Sequence, residues 1–127
     1  MAKHILIVDD SKTVRNLVAF IMKKEGFRVT SAEDGLDGLE KLYSADKVDL
    51  IISDVNMPRM DGLTMIQELR QEHRQDMPII VLTTQEEDID RTKAYIKGAN
   101  LYLVKPVKPE QLVHHIKLLL GVPHEND

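Results

Sequence analysis

Asp9, Asp10, Asp54, Thr83 and Lys105 each stand where a short aliphatic run gives out. Three carboxylates, a hydroxyl and an ammonium are the ingredients of magnesium-dependent phosphoryl transfer. Brought together, the carboxylates repel, each close pair by roughly 4 kcal/mol at an effective dielectric of about 20, and a bound divalent cation relieves that repulsion. An all-oxygen set favours magnesium (Mg2+) or manganese over zinc. An aspartate in such a set can act as a nucleophile and become an aspartyl-phosphate. Asp54 is the candidate: it ends the most central-looking strand and opens a tight loop, Val55-Asn56-Met57-Pro58-Arg59-Met60-Asp61-Gly62. Lys105 would bring a point charge to the developing phosphoryl oxygens, and Thr83 a hydroxyl donor. Singly, these residues have ordinary explanations. Asp9 and Asp10 before Ser11 could serve a helix N-terminus, and Asp54 could form a turn. Their joint placement at the ends of separate strands is what those explanations leave uncovered.

The runs that must position them are His4 to Val8, Val48 to Ser53, Pro78 to Leu82 and Leu101 to Val104, mostly aliphatic and without clean alternation, as buried parallel strands are. A further strand is predicted over Phe27 to Thr30. Between them lie segments of helical period. Val14, Leu17, Val18, Ile21 and Met22 form the clearest stripe, with Ser11 as its cap and Gly26 at its end. A second helix is predicted to put Leu36, Leu39, Leu42 and Tyr43 on one face, and a third carries Leu63, Ile66 and Leu69. A fourth runs through Ile89 and Ile96, with Glu86 and Glu87 in its first turn to meet the helix dipole. Pro109 opens the fifth, with Leu112, Val113, Ile116, Leu119 and Leu120 facing inward. Five strands alternating with five helices predict a doubly wound α/β fold with a parallel sheet covered on both faces. In such a sheet ligands bind beyond the carboxyl ends of the strands, where the five polar residues fall.

The 127 residues fit one domain. A net charge of −4 argues against nucleic acid as a partner, and the absence of cysteine excludes disulfides and thiol chemistry. No apolar stretch is long enough to span a bilayer and no signal-peptide pattern precedes the first strand, so a cytoplasmic location is expected, with no membrane partner. The histidines offer no metal pair, since His114 and His115 are adjacent and face apart on a helix.

With these pieces in place the chain resembles a family, the phosphoacceptor receiver domains of bacterial two-component response regulators. The carriers are Ile5-Leu6-Ile7-Val8-Asp9-Asp10-Ser11, Ser53-Asp54-Val55-Asn56-Met57-Pro58-Arg59-Met60-Asp61-Gly62, Leu82-Thr83-Thr84 and Leu103-Val104-Lys105-Pro106. The likeness covers residues 1–121 as a receiver domain, leaving 122–127 as a short tail. It implies the flavodoxin-like strand order 2-1-3-4-5, the order of the chemotaxis regulator CheY. It also implies that Asp54 accepts a phosphoryl group from a histidine kinase, while Asp9, Asp10, Asp54 and the backbone carbonyl of Asn56 arrange Mg2+. Thr83 and Tyr102 would couple the phosphate to a surface change, the hydroxyl moving to a phosphoryl oxygen and the ring turning into the vacated space. Tyr102 is expected on an exposed signalling face formed by the fourth helix, fifth strand and fifth helix, and a cis Lys105-Pro106 peptide is implied. Asn56, Thr84 and Gln85 occupy positions that tune phosphate lifetime in relatives. Thr84 departs from the pattern, which has a small residue there, and its bulk is expected to narrow access to Asp54.

Single-domain length and the Asp54-Val55-Asn56-Met57-Pro58 segment favour a monomeric, CheY-like chemotaxis regulator. Its partners would be a CheA-like histidine kinase, a flagellar motor switch protein and a phosphatase. A phosphorelay intermediate or phosphate sink is the alternative. A haloacid-dehalogenase-type phosphatase fits less well, because its second aspartate, the general acid, is replaced here by Asn56. The chain is therefore expected to be a phosphoacceptor and not a turnover enzyme.

Overall fold

The computed structural model describes residues 2–122. Five strands, β1 His4–Val8, β2 Arg28–Ala32, β3 Leu50–Ser53, β4 Ile79–Thr83 and β5 Leu101–Val104, form one parallel sheet in the order β2-β1-β3-β4-β5. This is the doubly wound α/β architecture that the alternating strand and helix patterns predict, in the flavodoxin-like order that the resemblance implies. β1, β3 and β4 are buried along their whole length, which is why they read as unbroken aliphatic runs. The edge strands β2 and β5 are only partly covered.

Side-chain alternation splits the core in two. Ile5, Ile7, Leu50, Ile52, Ile80 and Leu82 meet Val18 and Met22 of α1 (Lys12–Lys24) and Leu112 and Ile116 of α5 (Pro109–Leu120). Leu6, Val8, Ile51 and Val81 face the other way, toward α2 (Gly35–Ser44), α3 (Gly62–Gln67) and α4 (Asp88–Lys97). Full burial of one such side chain contributes about 1.5–3 kcal/mol, so the two layers dominate the stability that holds the strand ends in place. Among the described residues, no helix is long and apolar enough to cross a membrane.

Local chemistry sets the helix ends. Ser11 Oγ accepts from the Val14 N–H at 3.2 Å, Asp34 Oδ1 from Asp37 N–H at 2.9 Å and Asp61 Oδ1 from Thr64 N–H at 2.8 Å, so each caps the helix that follows it. Pro109 is at the start of α5, and Gly121 closes it in the left-handed region. The third helix continues into a wider, π-type turn over Glu68–Glu72.

Some expectations shift. β2 begins one residue after Phe27, whose side chain is instead buried in the core, and runs on to Ala32 because Ser31 and Ala32 pair with Ile7 and Val8. Glu86 precedes α4 and Glu87 is its N-cap, so Asp88 and Asp90 are the acids of the first turn. Leu17, Leu36 and Tyr43, expected to face inward, are exposed. Gly35 and Gly38 bring α2 so close to Met60, Met65 and Val8 that a larger side chain at either position would crowd them. Of the tail expected over 122–127, only Val122 is among the described residues.

Candidate functional site

Register decides which side chains meet. Val8 pairs with Ser53, so Asp9 and Asp54 leave adjacent strands side by side, with the Asp54 N–H donating to the Val8 carbonyl at 2.9 Å. Thr83 pairs with Val104, and the Lys105 N–H donates to the Thr83 carbonyl at 2.7 Å, aiming Lys105 back across the sheet end. Its Nζ donates to Asp9 Oδ2 at 2.9 Å and Asp54 Oδ2 at 3.1 Å. One oxygen each of Asp9, Asp10 and Asp54 lies within 4.8 Å of the others.

Each carboxylate is differently placed. Asp9 is buried, its Oδ1 taken by the Ser11 N–H at 2.9 Å. The side chain of Asp54 is 13 % exposed, open enough for a reaction partner, and its Oδ1 accepts from the Val55 N–H at 2.7 Å. Asp10 is exposed. Burial depresses the Lys105 pKa, but hydrogen bonds and charge from Asp9 and Asp54 outweigh it, so the group titrates above its ordinary value and stays cationic. Three oxygen acids around one ammonium leave an excess of negative charge at a partly open site. That donor set fits a hard divalent cation such as Mg2+.

The structure thus brings together Asp9, Asp10, Asp54 and Lys105. Thr83 is buried at the end of β4, its Oγ1 accepting from the Gln85 N–H at 3.4 Å. Asn56 and Thr84 are exposed in the loops leaving β3 and β4, with Gln85 half-buried beside them. The Lys105-Pro106 peptide is cis. Tyr102 requires a correction. It is 2 % exposed, not on an open face, and its hydroxyl donates to the Gln85 carbonyl at 2.6 Å. Burial, with the nearby Asp90 carboxylate, pushes its phenol pKa up. On α4 the exposed large hydrophobic side chains include Ile89 and Ile96.

Several supporting residues escaped the sequence reading. Arg15 Nη1 donates to the Asp9 carbonyl at 2.7 Å, and Ser53 Oγ to the Asp54 carbonyl at 2.8 Å. A Cβ at Gly62 would collide with the Asp54 carbonyl oxygen, so only glycine lets α3 start against the end of β3. Arg59, at φ 61°, grips the buried Asp34 through Nε at 2.7 Å and Nη2 at 3.1 Å, tying the β3–α3 loop to the start of α2. The Arg59 hydrogen bonds hold the Asp34 carboxyl below its ordinary pKa against the opposing effect of burial. The Asp34-Gly35 and Asp61-Gly62 dipeptides were the available signal: a capping acid followed by the one residue that permits close approach.

The chain belongs to the response regulator receiver domain family, whose model matches residues 5–117. It is a phosphoacceptor module of two-component signalling, a class whose members partner with histidine kinases. Among solved structures, it is similar to a CheY-like receiver domain protein from Methanospirillum hungatei (29 % identity, TM-score 0.88, 95 % of each chain covered). Chemotaxis protein CheY4 of Vibrio cholerae matches at 35 % identity and TM-score 0.88, over 94 % of this chain and 100 % of that one. A putative response regulator from Chloroflexus aurantiacus matches at 33 % identity and TM-score 0.88, over 95 % and 99 % of the two chains.

Proposed function

We propose that this chain accepts a phosphoryl group on Asp54 from a histidine kinase and thereby changes its affinity for a partner protein. The observation that carries this reading is the cluster itself: Asp9, Asp10 and Asp54 converging within 4.8 Å, with the Lys105 ammonium on two of them.

In the transfer an Asp54 carboxylate oxygen bonds to phosphorus while the bond from phosphorus to the donor imidazole breaks, its electron pair leaving with the imidazole. The Val55 N–H on Oδ1 fixes the carboxylate's orientation, which limits the approaches the donor must sample. Lys105 is already charged and in place, so it follows charge onto the phosphoryl oxygens without solvent reorganisation. A magnesium ion held by Asp9, Asp10, Asp54 and the Asn56 carbonyl would neutralise phosphoryl charge that three carboxylates otherwise repel. The Thr83 hydroxyl would exchange its long contact with Gln85 for a phosphoryl oxygen, carrying the event into the β4–α4 loop. Asn56, Thr84 and Gln85 stand where they would set the lifetime of the phosphoryl group.

For the output, we infer a cytoplasmic, monomeric chemotaxis regulator, phosphorylated by a CheA-like kinase and acting on a flagellar motor switch protein. Support comes from the likeness to CheY4 over that chain's whole length. Titrating a motor-switch peptide with and without acetyl phosphate and Mg2+ tests it: affinity rises on phosphorylation if the output is right, and an unchanged affinity removes it.

A further inference from the structure

At the outer edge of the sheet α4 clasps Tyr102 from three sides. Among the described residues no strand lies beyond β5, so the outward backbone groups of Tyr102 must find partners elsewhere. Both are taken by side chains one helical turn apart on α4. The Tyr102 N–H donates to Tyr95 Oη at 3.1 Å, and Arg91 Nη1 donates to the Tyr102 carbonyl at 3.2 Å. The Arg91 guanidinium also lies over the Tyr102 ring, 5.0 Å from its centroid. The tyrosine's far end is fixed by its bond to the Gln85 carbonyl, in the loop that follows Thr83.

We propose that Arg91 and Tyr95 are positioning residues that hold Tyr102 in its buried arrangement, so the ring is inward before any phosphoryl group reaches Asp54. This rests on the reading of the chain as a receiver phosphorylated on Asp54 and deepens it. Phosphorylation then has little ring rotation left to drive. Its effect falls on the Thr83–Gln85 loop and, through Gln85, on a helix already pinned to β5. Arg91 does this through contacts that need both its charge and its reach: a neutral short side chain can neither cover the ring nor bond the carbonyl. Lysine retains the charge over the ring but lacks the planar fork.

The test is 19F NMR of protein labelled with 3-fluorotyrosine, whose three tyrosine signals are assigned with Tyr43→Phe, Tyr95→Phe and Tyr102→Phe. Unphosphorylated wild type should give a single Tyr102 signal without a solvent isotope shift between H2O and D2O. Arg91→Ala should raise the outward-to-inward ratio by roughly fivefold and bring in a solvent-shifted signal, with Arg91→Lys recovering part of the wild-type pattern. Tyr95→Phe should speed exchange of the Tyr102 amide about tenfold, because the oxygen that accepts it is gone. An outward ring in wild type, or an Arg91→Ala spectrum identical to wild type with the fold intact by circular dichroism, overturns the proposal. Acetyl phosphate labelling of the same samples separates this from the reading it rests on: a protein that takes no phosphoryl group fails as a receiver whatever its Tyr102 signal shows.

Discussion

Replacing Asp10 by asparagine should make the metal-free protein more stable while removing most of its stabilisation by magnesium. Asp10 is the exposed member of the triad, with one oxygen within 4.8 Å of its two neighbours. At that separation each repulsion is about 0.9 kcal/mol under fully water-like screening. Lys105, bound to Asp9 and Asp54, offsets part of this, leaving a gain of about 1 kcal/mol, or about 4 °C in Tm for a domain of this size. Wild type should respond oppositely to added metal. At a free Mg2+ concentration 100-fold above Kd, the native state gains about 2.7 kcal/mol, and the variant, lacking one ligand, should keep less than half of that. The assay is thermal unfolding of both proteins in chelator and at several Mg2+ concentrations. A variant less stable than wild type in chelator, or one with an undiminished magnesium shift, would refute the electrostatic account of the cluster.

Three further outcomes follow from the geometry. Lys105→Met should slow phosphorylation by acetyl phosphate about 100-fold, the effect of losing one preorganised donor, while Mg2+ binding by calorimetry is retained or strengthened; a wild-type rate would show that Lys105 does not stabilise the transfer. Gly62→Ala drives a methyl group against the Asp54 carbonyl, so urea unfolding should show a loss of about 2–3 kcal/mol, and a neutral result would mean the loop can give way. The Asp34 carboxyl sits below its ordinary value in the folded state, so its contribution is complete above about pH 4 and is lost as pH falls through the depressed value. Arg59→Gln should therefore move the acid-unfolding midpoint upward, and superimposable acid curves would contradict the assigned role of that ion pair.

The central strands were legible because burial on both faces demands aliphatic runs, and β1, β3 and β4 are such runs. Their carboxyl ends then pointed to Asp9, Asp10, Asp54 and Thr83, and that of β5 to Lys105, without knowledge of distances. The sheet edge was harder. β2 extends over Ser31 and Ala32 through pairing with β1, a tertiary effect that overrides their weak strand preference. The resemblance put Tyr102 on an exposed signalling face, but Arg91 and Tyr95 close over it, and contacts from a helix several residues upstream leave no local mark. Arg59 and Asp34 are 25 positions apart, and their pairing depends on a left-handed residue in the loop that composition alone does not announce.

The most direct test of the central claim is intact mass after incubation with acetyl phosphate and Mg2+, alongside Asp54→Ala and a chelator control. The expected result is a gain of one phosphoryl group that disappears in both controls. A folded wild-type protein that gains nothing, or a gain that survives loss of Asp54, would contradict it.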